Sequence, residues 1–438
     1  MPILWSRLKT LFVLTPHQYA LGNRAEEMFF GILRAQRKKH KVLFLQPFNI
    51  PVLNGYRLTN QALMNLESDF IIPPRATRDR IASLIITAAI LPTRLFSRLL
   101  FWVVGKRLYE SFNFPRLGVD SLWVDRPEKT RKAFDWHLAE QMDWKAQRLN
   151  YEAPKLREDV ASRCAEKLSA WGFKKRDWYV CWHVRDGGFK QDFHRRSYRN
   201  ANIENSIPAM QEITKRGGWV IRIGDDKMPR LPEIDRVIDY PFTDMKSDEM
   251  DIFLVANCRL FVGMTSGPLE VANLFNRQML VINMSDWSSG ALLGPNDRGL
   301  LKHVYSKAAG RFLSVKEMLA ADRNLLNSWG YTNSDFEFRE NSPQEIVGAL
   351  SEALELLDKK GLEPSAVQVE AAMRIKGNAR KLIEGPNYHP HASRSEEVLR
   401  WKYKSAARVL MEDGVICKTY LEQNWDTDQL NKRAYGNV

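Results

Sequence analysis

Three short runs in this chain set charged or hydroxylated residues immediately after an apolar segment. YVCW leads into His183, Val184, Arg185, Asp186, Gly187 and Gly188. WVIR ends in Arg222 and continues through Gly224, Asp225 and Asp226. LFVG leads into Met264, Thr265, Ser266, Gly267 and Pro268. Proline is favoured at the first helical position, so Thr265, Ser266 and Gly267 stand where a new helix leaves its first N–H groups without intrahelical partners. Such a helix start attracts an anion, and a nucleotide pyrophosphate fits it. The same Thr-Ser-Gly-Pro is also an ordinary helix-capping sequence. Arg185 and Arg222 favour the anion, because guanidinium binds phosphate oxygens in pairs and stays charged at any working pH. Either arginine alone serves a structural ion pair equally well.

For these runs to act together, the elements carrying them must end at one edge. Trp178 to Val184 reads as a buried strand, and Asn202 as the cap of a helix whose Ile203, Ile207, Met210 and Ile213 share a face. Gly217 and Gly218 close that helix, and Trp219 to Ile223 is the next strand. Leu260 to Val262 form a further strand before the Pro268 helix, followed by a strand at 279–283 and a Gly/Ser/Asn/Asp-rich loop from Asp286 to Arg298. Asn341, Ser342, Pro343 and Glu345 make a compact start for a helix reaching about Leu357. This alternation predicts an α/β fold in which the three runs lie at the carboxyl ends of parallel strands, the edge where such sheets bind ligands. The N-terminus repeats the pattern on a smaller scale, with a strand at Leu11 to Leu14, a helix at Ala25 to Gln36 and a strand at Val42 to Gln46. His17, Gly22 and Asn23 are thereby expected on its first strand-to-helix loop.

The 438 residues suffice for two full-sized domains and an appendage. The expected division is 1–152, 153–360 and a helical extension at 361–438. Cys164, Cys181, Cys258 and Cys417 are widely spaced, which suits free thiols in a reducing cytoplasm and gives no metal signature. His389 and His391 lack a partner ligand at suitable spacing. The net charge of +13 is concentrated early, since residues 1–150 hold 23 Lys and Arg against 12 Asp and Glu. Residues 70–107 combine seven basic side chains, one acid (Asp79) and two apolar stretches, Ile81 to Leu91 and Leu95 to Val104. Neither stretch reaches the roughly 20 residues of a bilayer span. Arg94 and Arg98, with Phe101 and Trp102 nearby, suit a helix lying on an anionic membrane surface, and an internal helical hairpin fits the same pattern. The basic residues accompany aliphatic runs, and no DNA or RNA recognition motif is present, which argues against nucleic acid.

The order HVRD, then Arg199-Asn200, then IRIGD, FVGMTSGPLEVANLF and ENSPQEIVGAL resembles a family of bacterial glycosyltransferases found with capsule and lipopolysaccharide O-antigen synthesis. The likeness spans roughly Trp178 to Leu357, with a weaker echo in HQYALGNRAEEMFF. The HVR element is also similar to the donor-binding strand of O-fucosyltransferases, whose arginine meets the donor pyrophosphate. After that arginine the chain has Asp-Gly-Gly where the fucosyltransferase pattern has a second basic residue. The resemblance implies a GT-B fold, two Rossmann-like domains facing across a cleft, with the sugar nucleotide in the C-terminal one. It adds His183, Arg199, Asn200 and Glu270 to Arg185, Arg222, Gly224, Asp225, Thr265, Ser266 and Gly267 as donor-binding candidates. Gly22 and Asn23 fall on the acceptor side.

The function expected is transfer of a sugar from a nucleotide-sugar donor to a lipid-linked or polysaccharide acceptor. The enzyme is expected in the cytoplasm, peripherally on the inner face of the cytoplasmic membrane. Arg185, Arg222 and the N–H groups after Thr265 would neutralise charge on the leaving diphosphate, so neither a cofactor nor a metal is expected. Asp186 and His17 are both candidates for the catalytic base that deprotonates the acceptor. Two alternatives remain: a nucleotide-sugar epimerase using the same cradle, and a non-catalytic module binding glycan or membrane.

Overall fold

The computed structural model describes residues 11–16, 18, 20–46, 58–75, 77–85, 87–88, 150–187, 198–285, 294, 296–320, 336–359, 363–384 and 416–431. His17, Gly188, Arg94, Arg98, Phe101, Trp102, His389, His391 and most of the Asp286 to Arg298 loop lie outside them.

The N-terminal elements are β1 (Leu11–Leu14), α1 (Leu21–Lys38) and β2 (Lys41–Phe44), and the two strands pair in parallel. The βαβ start is thus present, but the helix begins four residues earlier than its sequence pattern suggests. Ala20 occupies the N-cap with extended geometry, which places Gly22 and Asn23 in the first helical turn rather than on a loop. Tertiary packing overrides the weak local signal here, because a side chain at Gly22 would stand 2.9 Å from the Gly267 Cα. The helix therefore runs on to meet a second helix start. Two short strands, β3 (Leu66–Glu67) and β4 (Lys155–Leu156), pair antiparallel and tie the segment after residue 150 back to the N-terminal elements.

After α2 (Glu158–Ala170), the larger sheet is assembled from β5 (Tyr179–Trp182), α3 (Ile207–Lys215), β6 (Trp219–Arg222), β7 (Val237–Asp239), α4 (Asp248–Asn257), β8 (Leu260–Gly263), α5 (Gly267–Leu274), β9 (Met279–Met284) and β10 (Arg298–Leu301). The order across this sheet is β10-β9-β8-β5-β6-β7, with every neighbour parallel. Counted from β5, the chain first moves outward to β6 and β7, then crosses to β8 and moves outward the other way. That is a doubly wound arrangement whose direction reverses between β5 and β8. Their side chains are wholly buried, as are those of β9, so these strands read as continuous apolar runs rather than alternating ones. Arg298, expected at the end of a loop, is the first residue of β10, where Glu352 holds its guanidinium at 2.9 Å.

A small antiparallel sheet follows, ordered β12-β11-β13, from β11 (His303–Ser306), β12 (Arg311–Phe312) and β13 (Phe336–Arg339). Then come α6 (Pro343–Asp358), α7 (Ala366–Glu384) and α8 (Lys418–Asn424). Ser342 and Glu345 form a reciprocal capping box at the start of α6, as the Asn-Ser-Pro-x-Glu pattern requires. The C-terminal residues 416–431 are packed into the larger unit: Ile416 bridges in parallel to Gly299, and Lys418 N donates to Glu352 at 2.7 Å.

Candidate functional site

The carboxyl ends of β5 and β8 are adjacent, and the residues beyond them are joined. His183 N donates to Val262 O at 2.9 Å, while the His183 ring Nδ1 and the Ser266 hydroxyl lie 3.1 Å apart. Ser266 is also the N-cap of α5, and its side chain makes no cap hydrogen bond because it is turned to His183 and Met264 O. Two independent runs of the sequence therefore meet at the point where sheet direction reverses. That crevice is the position in which open α/β sheets take ligands.

Around it the structure gathers basic groups. The Arg185 guanidinium donates to Asn200 Oδ1, and Arg199 reaches the Thr265 carbonyl. Ala201 N donates to Arg185 O at 3.0 Å, which folds the Arg199-Asn200 pair back over the end of β5. Burial, and the nearness of Arg222 and Arg185, depress the His183 pKa to about 3, so the ring is neutral at physiological pH. Thr265 Oγ1 is buried without a hydrogen-bond partner among the described residues. Asp186 is half-buried beside Arg185, and Glu270 in the first turn of α5 accepts from Asn273 Nδ2 at 3.2 Å.

Three of the expected ligands are engaged within the fold. Arg222 is 1% exposed, donates to Asp239 Oδ1 at 2.8 Å and to Pro229 O at 2.9 Å, and so ties β6 to β7 and to the intervening loop. Asp225 turns the chain after β6 by accepting from Lys227 N at 2.9 Å. Gly224 has φ +156, and a side chain there would collide with Met228, so its role is to let the chain turn. The sequence pattern could not separate Arg222 from Arg185, since each follows an apolar strand. Only the partner strand β7, with Asp239, distinguishes them.

Sequence reasoning missed Lys302. This residue is 3% exposed, and its Nζ donates to Asn200 O at 2.6 Å. Its signal in the sequence is slight, a lone lysine between two apolar runs in GLLKHVY. An Asp-x-Asp tripeptide at Asp426 to Asp428 is engaged away from this edge: Asp428 lies 2.6 Å from the buried His303, and Asp426 pairs with Lys316 at 3.0 Å. No group of three His, Cys, Asp or Glu positioned to hold a metal occurs among the described residues.

Gly22 and Asn23 stand at the N-terminal end of α1. Gly22 touches the start of α5, a side chain there lying 3.6 Å from Glu270 Cγ, and Asn23 is exposed. Two helix N-termini without side-chain caps thus abut at the same edge as the arginines.

No family model matches this chain, and no curated protein does. Among solved structures, it is similar to the glycosyl transferase family 9 protein of Veillonella parvula DSM 2008, at 12% identity and a TM-score of 0.30 over 46% of this chain. The match spans about half of that protein's length, 53%. It is also similar to the ADP-heptose LPS heptosyltransferase II of E. coli, at 13% identity and a TM-score of 0.39, over 80% of this chain and 99% of the other.

Proposed function

We propose that this chain is a glycosyltransferase that moves a sugar from a nucleotide-sugar donor to a lipid-linked or polysaccharide acceptor in bacterial surface glycan synthesis. The observation that carries the reading is the meeting of Arg185, Arg199 and the α5 start at the reversal point of a doubly wound parallel sheet. Such a crevice offers cationic side chains and the positive end of a helix to a diphosphate leaving group, which needs most stabilisation as its bond to the sugar breaks. The motif order from HVRD to ENSPQEIVGAL supports the same assignment.

In this reading the fold is GT-B-like, with residues 1–152 on the acceptor side and 153–360 holding the donor. His183, Arg185, Arg199, Asn200, Thr265, Ser266, Gly267 and Glu270 make the donor site. A neutral His183 cannot offset the bound phosphate's charge, but it fixes Ser266 and so the α5 start. Asp186 and His17 are the candidate bases, and turnover proceeds without a divalent ion. The anionic membrane surface enters through residues 77–85, which are helical and expose Ile81, Leu84 and Ile85 at 56%, 60% and 63%. These share one helical face, beside Arg78 and Arg80. No helix among the described residues is long and apolar enough to cross a membrane.

The test is incubation with a panel of nucleotide sugars and a lipid-linked acceptor, with and without excess chelator. Sugar transfer that survives the chelator is the expected result. An isomerised donor with no transfer would identify an epimerase, and binding without turnover a non-catalytic module. Activity abolished by chelator and restored by Mg²⁺ or Mn²⁺ would overturn the metal-independent mechanism.

A further inference from the structure

Lys302 lies between β10 and β11 in a backbone built to place it. The pairing of β9 with β10 shifts register between Gly299 and Leu301, and Asn283 in β9 has φ 52, in the left-handed region. This bulge is held by reciprocal bonds of 2.7 Å, from Asn283 N to Asn341 Oδ1 and from Asn341 N to Asn283 Oδ1. Asn341 Nδ2 also donates to Leu301 O at 2.7 Å, and Lys302 N to Met284 O at 2.8 Å. Bulges of this kind re-aim the side chains that follow them.

The result is a buried ammonium with three N–H donors and, among the described residues, one acceptor, the Asn200 carbonyl. Asn200 links the basic groups, because its side-chain oxygen takes Arg185 while its carbonyl takes Lys302, and Arg199 precedes it in the chain. Three cations are therefore strung along one dipeptide at the carboxyl edge of the sheet. Glu340, at the end of β13, is the facing carboxylate, and it accepts from Asn202 N at 2.8 Å and Asn205 Nδ2 at 3.0 Å. Burying an ammonium without a direct counter-ion is costly, and an arriving anion removes that cost.

On the reading that this crevice binds a diphosphate, we propose that Lys302 is a third cationic ligand of that diphosphate and takes up a proton as it binds. Burial lowers Lys302 to about 8, with Glu340 acting against the shift and Arg185 with it. The neighbouring titratable groups hold their states: His183 is neutral, and His303, the next residue, is engaged by Glu345 and Asp428. A phosphate beside Lys302 restores its affinity for a proton, so near pH 8 the fraction of neutral amine becomes charged on binding.

The experiment is calorimetric titration of the full chain with inorganic pyrophosphate, ADP, GDP and UDP, in two buffers of different ionisation heat, at pH 6.5 and pH 8. At pH 8, where the terminal phosphate of the nucleoside diphosphates is already deprotonated, the heat should depend on buffer by about half a proton taken up per nucleotide; at pH 6.5, where that phosphate is itself part-protonated, the buffer dependence should be the same in parent and variants. Lys302→Met should weaken binding about tenfold or more and remove the uptake. Lys302→Arg, charged at both pH values, should bind within a few-fold of the parent without uptake. Uptake at pH 8 that persists in either variant, or parental affinity in folded Lys302→Met, would overturn the assignment. Weakened binding in Arg185→Ala alongside unaltered Lys302→Met would remove Lys302 and leave the phosphate site standing. Failure of the folded parent to bind any of the four probes would overturn both.

Discussion

Two buried histidines in this molecule live under opposite electrostatics. His183, at the edge of β5, is 6% exposed, and burial together with Arg222 and Arg185 holds it neutral. His303, at the start of β11, is fully buried between Asp428 Oδ2 at 2.6 Å and Glu345 Oε2 at 3.1 Å. Burial opposes charge there too, but hydrogen bonds to the two carboxylates outweigh it and raise His303 to about 9. Burial and hydrogen bonding to His303 act in opposite directions on Glu345, with the balance lowering its pKa. The His303 cluster sets one cation from β11 between carboxylates from α6 and the C-terminal segment, and Asn424 Nδ2 also donates to Glu345 at 3.2 Å. The charges acting on the His183 ring are cations instead, Arg222 and Arg185, and Arg199 reaches the Thr265 carbonyl beside it. Carboxylates hold one histidine charged and fasten the fold, whereas burial and guanidinium groups hold the other neutral at the sheet edge.

That contrast is sharpest in variants. His303→Ala leaves Glu345 and Asp428 buried without their cation and should cost about 3–5 kcal/mol of stability, read as a lowered urea midpoint with ligand binding of the surviving folded fraction unchanged. Arg222→Ala should behave in the same way, with a loss on the order of 3 kcal/mol, because Asp239 loses its buried partner. A stable Arg222→Ala that instead fails to bind nucleotide would return this arginine to the site. Arg185→Ala should show the reverse profile: an unchanged melting curve, and nucleotide affinity reduced by about 10- to 100-fold, as expected for loss of a charge-assisted bond worth roughly 1.5–3 kcal/mol.

Gly22→Ala probes the contact between α1 and α5. The added methyl meets the Gly267 backbone, so a loss of about 1–3 kcal/mol is expected in chemical denaturation. Stability equal to the parent would mean that the two helix starts separate readily. The two histidines also set opposite pH limits. The raised pKa of His303 gives stability that is complete below the unfolded value of about 6.5 and is lost as pH rises through about 9. The depressed pKa of His183 gives stability that is complete above about 6.5 and declines as pH falls toward 3. Melting temperature against pH in the parent and in His303→Ala should show the alkaline limb disappear only in the variant.

Much of the larger sheet was legible because buried parallel strands leave unbroken apolar runs, as in YVCW, LFVG and MLVINM, and because Asn202, Ser342 and Pro268 mark helix starts. The position of the crevice followed from those runs, each with polar residues just beyond it. What the chain alone left equivocal was the partner of each charge. Arg185 and Arg222 have nearly the same local sequence context, yet one faces an asparagine at the strand edge and the other a carboxylate seventeen residues away on the neighbouring strand. Lys302 carried only a slight local signal, since its burial depends on a bulge fixed by Asn341, and Asn23 entered a helix because Gly22 packs on Gly267. Hydrophobic period and capping are written in residues a few positions apart, so the sequence by itself determined the central strands β5, β6, β8 and β9, the helix starts at Asn202, Pro268 and Ser342, and the sheet edge on which their polar residues fall. Charge pairing and backbone approach join residues brought close only by the folded chain, so the tertiary structure alone decided which cations fasten the fold and which face the crevice.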